Sequence, residues 1–271
     1  MLHQLLRCSF IILVNLGAKT VLAQGDFYTP KSLIIPLHDQ KNQLHVSLGR
    51  GGGYDLNLSY AFSKHFAVFH TATIDNETKK RITIIGDRYN VDRNDYVVKG
   101  GLGYFSRTKI AKYPIIEAYI GGGLSKIDNY WHFNEHDYGD FTQAKYWTLF
   151  GQINGGRKIK RIEYTVGLRI AYSKYMDIIF SDSPLPNTIT MKSRYENLQG
   201  LSVDPVISYS YNLNGFKLNA QAGLAVPITL GSTSRTDSHT TTVIRSEENV
   251  PLWAILGRLS VQYNLNFSKE R

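Results

Sequence analysis

The chain has 271 residues, 42% of them hydrophobic and 20% charged, which is too apolar for a disordered polymer. That length fits one large all-β domain or two ordinary ones, and 18 Tyr with 12 Phe favour β-structure. The net charge of +9 does not make a nucleic-acid binder: Arg107, Lys109, Lys112, Arg157, Lys158, Lys160 and Arg161 gather in two short polar stretches, without a helix or stacking platform.

In chain order, residues 1–23 read as a signal peptide. A basic start through Arg7, an apolar run from Cys8 to Leu16 and the small residues around Ala23 have the required spacing. Cleavage after Ala23 leaves 248 residues and a charge of +7, and removes Cys8, the only cysteine. A mature chain without cysteine forms no disulfide and no thiolate metal site. After this start, no apolar run approaches the ~18 residues of a membrane-spanning helix.

Residues 24–42, with Tyr28-Thr-Pro30 and Leu33-Ile-Ile-Pro36, have no evident strand partner. They are expected to form a periplasmic lead-in, or to tuck into the mouth of the domain that follows. From residue 43 onward the pattern alternates, apolar then polar, as strands with two unlike faces do. Leu44, Val46 and Leu48 oppose His45, Ser47 and Gly49, and the last segment sets Ile255, Leu259, Val261, Tyr263 and Phe267 against Arg258, Ser260, Gln262 and Asn264. Ten such segments are predicted: 43–50, 54–63, 65–75, 94–106, 113–126, 143–156, 161–180, 196–213, 215–230 and 250–267.

The connections alternate in length. Short turns, including Asn214-Gly215, occupy one side, and the long polar stretches 76–93, 127–142, 181–195 and 231–249 lie on the other. Asn-Gly between alternating runs is a strong hairpin signal. Short turns on one side and long loops on the other, with ten antiparallel strands, predict an all-β, up-and-down transmembrane barrel over residues 43–271. Tyr60, Phe62, Phe66, Tyr104, Tyr209, Tyr211, Phe216, Tyr263 and Phe267 share the apolar register near the short turns, as an interfacial aromatic girdle would. A soluble barrel would invert this polarity.

These features, with a last strand ending Tyr263-Asn-Leu-Asn-Phe267, resemble the small bacterial outer-membrane β-barrel proteins. The resemblance covers residues 43–267 and implies a place in the outer membrane, contact with its lipids and insertion by the barrel assembly machinery. The chain departs from it in continuing past Phe267 to Arg271.

The opposite register gives the candidate site. Its charged members are Asp55, Glu117, Glu163 and Asp204, with Lys99, Arg169, Lys217 and Arg258: four acids and four bases. A selective ion pore biases its lining to one sign. A neutral set in a narrow barrel predicts a crosslinked, side-chain-filled interior that blocks ion flow. The loops would then carry structural, adhesive or ligand-binding roles, with a narrow pore for small solutes as the alternative.

Catalytic signals are sparse. Asp237-Ser-His239 with Asp92 and Asp95 is similar to the Asp and His pairs of omptin-type proteases, without their surroundings. His45-Val-Ser47 has the His-x-Ser spacing of a class of lipid deacylases but is expected to line the lumen as a hydrogen-bonded pair. Trp131, His132, Glu135, His136 and Asp137 contain ligand types suited to a divalent cation, in what reads as a hydrated loop. Tyr146, Trp147 and Trp253 are placed in an upper aromatic belt. No cofactor, resident metal or catalytic group is assigned.

Overall fold

The computed structural model describes residues 31–82, 88–108, 114–133, 139–182, 191–213, 215–230, 234–237, 243–244 and 254–267. The strands are β1 (Gln43–Arg50), β2 (Tyr54–Ala61), β3 (Phe66–Ile82), β4 (Arg88–Arg107), β5 (Ile115–Phe133), β6 (Gly139–Ile159), β7 (Ile162–Asp182), β8 (Met191–Glu196), β9 (Gln199–Leu213), β10 (Phe216–Thr229), β11 (Ser234–Asp237), β12 (Val243–Ile244) and β13 (Ala254–Asn266). Ten of them, all but β8, β11 and β12, form a closed antiparallel ring. The ring closes between β1 and β13, from Gln43↔Asn266 to Arg50↔Leu259. Among the described residues each of the ten ring strands pairs with a neighbour on both sides, which is how a barrel avoids the unsatisfied backbone of a sheet edge.

Ten staves stand where ten alternating segments are predicted. The stretches expected as loops differ. Strands β3 and β4 stay paired up to Ile82↔Arg88, and β5 and β6 up to His132↔Gly139. Much of 76–93 and 127–142 is therefore ladder, and the inward Val91, Ile127 and Trp131 continue the two-residue period within those polar stretches. Above β9, β7 pairs instead with β8, which carries β11 and β12 further out.

The wall is therefore uneven. Strands β1 and β2 have 8 residues, while β6 and β7 have 21. Crossing a bilayer takes only about 9–11 tilted residues. Along β4 the outward side chains run Tyr104, Leu102, Gly100, Val98 and Tyr96 before turning polar at Asn94 and Asp92. At ~3.3 Å per residue and a tilt of about 40°, that apolar run rises roughly 23 Å, close to the ~25 Å band of a membrane barrel. Outward lysines mark its upper limit on the next three staves: Lys126 on β5, Lys145 on β6 and Lys174 on β7.

The girdle residues stand at the lower edge of this band, on the outside. Phe66 meets Tyr104 edge-on at 5.7 Å, and Phe216 lies 4.9 Å from Tyr263. Phe62 and Phe267 are exposed, as are Tyr209 and Tyr211, while Tyr60 reaches Asn42 with its hydroxyl at 3.3 Å. Tyr146 departs from the expected upper belt: it points inward and is buried against Tyr175. A bulge at Met176 in β7 shifts the pairing between Lys145↔Asp177 and Tyr146↔Tyr175. Trp147 keeps its place beside Tyr172, and Trp253 lies outside the described residues.

Candidate functional site

The lumen is occupied by the chain itself. Residues 31–40 belong to no strand, yet Leu33, Ile34, Ile35 and Leu37 are buried. Of the two places expected for this segment, residues 31–40 take the second, inside the barrel, and not that of a periplasmic lead-in. Four branched apolar side chains close together find no lipid or strand partner outside, and they fill the barrel's interior instead. Leu33, Ile35 and Leu37 pack with Ile115, Val206 and Leu256, while Ile34 sits among Phe69, Tyr119, Phe150 and Ala171.

The wall supplies what an unladdered backbone lacks. Arg169 Nη2 donates to the Lys31 carbonyl at 2.8 Å, and Gln221 Nε2 donates to that of Leu33 at 3.3 Å. The Ile34 carbonyl accepts from both Gln152 (2.6 Å) and Asn154 (2.8 Å). Lys31 Nζ in turn donates to the Gly52 carbonyl at 2.6 Å, in the β1–β2 turn where Gly52 and Gly53 both take positive φ. Buried backbone acceptors are costly when unpaired, so each of these bonds fixes the segment's height in the barrel.

Below this, His38 is tied on three sides. Its backbone N–H donates to Glu117 Oε1 at 2.8 Å, and its ring nitrogens lie 3.0 Å from Gln43 Oε1 and 2.8 Å from Ser59 Oγ. Asp39 accepts from Lys158 Nζ at 3.0 Å at the short-turn mouth of the barrel, with Arg107 at 3.4 Å. Burial raises the Asp39 pKa, but Lys158, Arg107 and Gln43 outweigh it and hold the carboxyl below its ordinary value.

The eight lumen charges form three direct pairs. Arg169 Nε meets Asp204 Oδ2 at 2.8 Å, Lys217 Nζ meets Glu163 at 2.8 Å, and Arg258 Nε meets Asp55 at 2.6 Å. Arg258 also donates to Ser47 and Ser260, each at 2.8 Å. The remaining two are not a pair. Glu117 serves the segment through His38 and Asn154, and Lys99 lies over the Phe150 ring at 5.7 Å. The segment has taken the place of an acid–base partner, which counting charges along ten strands does not reveal.

His45 and Ser47 line the lumen but do not bond each other: His45 Nδ1 lies 2.7 Å from the Asn264 amide, and Ser47 accepts from Arg258. Asp92 faces outward and meets His132 at 3.2 Å and Thr78 at 2.5 Å, while the buried Asp95 accepts from the Asp128 backbone. Among the described residues no cluster of three metal-ligating side chains occurs. His239, Glu135, His136 and Asp137 lie outside them, as do residues 1–30.

Sequence reasoning missed the inward aromatic and aliphatic residues, above all Phe69, Tyr119 and Phe150. The signal was present in the glycines. A Cβ on Gly101 or Gly121 would meet the Phe69 ring at 2.8 Å or 2.7 Å, so these two positions are hollows that admit it. Above the segment, Ile127, Ala144, Tyr146, Tyr175, Ile178, Leu198 and Ala225 form a second apolar cluster that fills the upper lumen.

A closed up-and-down ring with an apolar exterior, an interfacial girdle and a polar, paired interior defines a transmembrane β-barrel of the outer-membrane type. Among solved structures, the chain is similar to a major outer membrane protein from Thermus thermophilus, with a TM-score of 0.37 and 12% identity over 82% of this chain and 99% of that one. It is also similar to Acinetobacter baumannii CarO2 (TM-score 0.34, 12% identity, 83% and 100% covered) and CarO (0.33, 10%, 82% and 97%). No family model matches the sequence, and no curated protein does.

Proposed function

We propose that this chain is an integral barrel of a bacterial outer membrane, kept closed by its own residues 31–42, that works through the surface it presents outside. The observation that supports closure is Leu33, 0% exposed in the centre of the lumen with its carbonyl bonded to the wall. The ion pairs and the upper apolar cluster add further fill at other heights. An external role draws support from the rim: β3 to β7 continue as ladder well past the apolar band and are widened by β8, β11 and β12.

On this reading residues 1–23 are removed as a signal peptide, outer-membrane lipids cover the band, and the assembly machinery receives β13 with Phe267. The lumen works neither as an ion path nor as a reaction chamber; the Asp92–His132 pair stands on the outer wall, bonded to Thr78. The refolded full chain in planar bilayers should give no steady conductance. A stable, large conductance would overturn closure and favour the narrow-pore alternative.

A further inference from the structure

The lumen holds residues 31–39 in the way a binding site holds a peptide. The contacts divide into two kinds. Side chains of the wall read main-chain groups: the carbonyls of Lys31, Leu33 and Ile34 accept from Arg169, Gln221, Gln152 and Asn154, and the His38 N–H donates to Glu117. Every peptide carries those groups. Shaped hollows read side chains, and here two inward glycines are decisive. A Cβ on Gly167 would come 2.8 Å from Leu33 Cδ2, and one on Gly156 would come 2.3 Å from Leu37 Cδ2. The wall lacks side chains where the two leucines sit.

Leu37 adds an independent sign of tight seating. Its φ of 51° lies in the left-handed region, which a branched side chain enters only when its surroundings hold it there. Main-chain hydrogen bonds for affinity with pockets for selected side chains is the general scheme of extended-peptide recognition.

From this arrangement we infer that the lumen is a binding site for a peptide with branched apolar side chains at positions i, i+1 and i+4 and a left-handed residue at i+4. Residues 31–39 are its built-in occupant and exchange with a peptide of the same chemistry supplied in trans. This rests on the closed-lumen reading and adds a ligand class to it. A short tether to β1 gives the built-in occupant an effective concentration of ~1 mM or more, so a free peptide competes poorly until that occupant is weakened.

The test uses the full chain with Cys8→Ser and a fluorescent synthetic peptide of residues 31–39. In the Leu33→Asn/Leu37→Asn chain, checked as folded by heat-modifiable migration, the peptide should bind saturably and at least ~10-fold more tightly than to the unmodified chain. A control peptide carrying Asn at both leucine positions should not bind. Absence of saturable binding to the folded variant, or equal binding of the control, overturns the proposal.

A second arm keeps both leucines. Ile35→Cys in the Cys8→Ser chain reports displacement through its rate of maleimide labelling. Excess peptide above ~1 mM should accelerate labelling several-fold, and an unchanged rate overturns the exchange. If binding fails in a protein that also does not conduct, the peptide site falls and the closed lumen stands. Steady conductance of the unmodified chain would remove both.

Discussion

The lower and upper halves of the lumen are filled by the same barrel in different ways. Below, a segment without a ladder lies against a wall of buried Arg, Gln, Asn and Glu, and three ion pairs bracket it. Above, the wall closes on itself through Tyr146, Tyr175, Ile178 and their neighbours, with aromatic contact at 4.8 Å and no inserted chain among the described residues. The difference follows from who satisfies the backbone. Strand residues have their N–H and C=O groups paired before they reach the interior, so apolar packing suffices. A guest segment brings unpaired groups and needs polar hosts.

Breaking the lower half should cost most at Arg169, which joins Asp204 to the Lys31 carbonyl. Arg169→Ala leaves Asp204 buried and unpaired and should lower stability by about 3–5 kcal/mol. Chemical unfolding followed by tryptophan fluorescence measures it. The double variant Arg169→Ala/Asp204→Ala should be less harmful than the single one, and a larger loss in the double would contradict the pairing.

Gly156→Leu fills the hollow that Leu37 enters. Overpacking of this kind costs about 1–3 kcal/mol, and limited proteolysis should cut within residues 31–42 of the folded barrel, where the unmodified chain should resist. The corresponding change above, Ile178→Val, removes one methylene from a cluster with no guest. It should cost about 0.5–1.5 kcal/mol and leave that proteolytic resistance intact. Together the two variants separate loss of the guest from loss of packing.

The smallest effect belongs to Asp39 at the short-turn mouth. Its folded-state pKa lies below the ordinary carboxylate value, so its contribution is fully present above that ordinary value and is lost as pH falls through the folded one. A partly exposed pair of this kind contributes about 0.2–1 kcal/mol. The stability difference between the unmodified chain and Asp39→Asn should therefore hold near neutrality and shrink below about pH 4. A difference independent of pH would mean that the contacts to Lys158 and Arg107 stabilise nothing.

The ten staves and their facing were legible because alternation acts on every residue: Thr165 and Arg169 face in, and Leu168 faces out, as their parity requires. So was the charged set at the level of faces, since inward parity brings Asp55 near Arg258 and Arg169 beside Asp204. The guest segment was legible only as one of two alternatives, and its depth and partners were not. Leu33-Ile-Ile has no period to match, and the hollows that receive it are glycines dispersed over β6 and β7, each ordinary alone. Glu117 counts in the sequence only as one of four inward acids, because nothing local says that the His38 backbone reaches it from 79 positions away. The height of the rim was hidden by its polarity, since outward Asn76, Thr78, Asp92 and Asp128 read as loop although they stand on paired strand.

The bulge in β7 bears on how the gene can change length. Tyr175 and Ile178 both face inward although three positions apart, and Met176 is the surplus residue between them. Loss of Met176 would restore a regular ladder and keep Tyr175 and Ile178 on their present faces. A single-residue deletion elsewhere in the strand must be absorbed by moving the bulge, or it turns the side chains beyond it to the opposite face. Codon 176 is thus the point in β7 where the reading frame of the wall can lose a step without disturbing what is written above it.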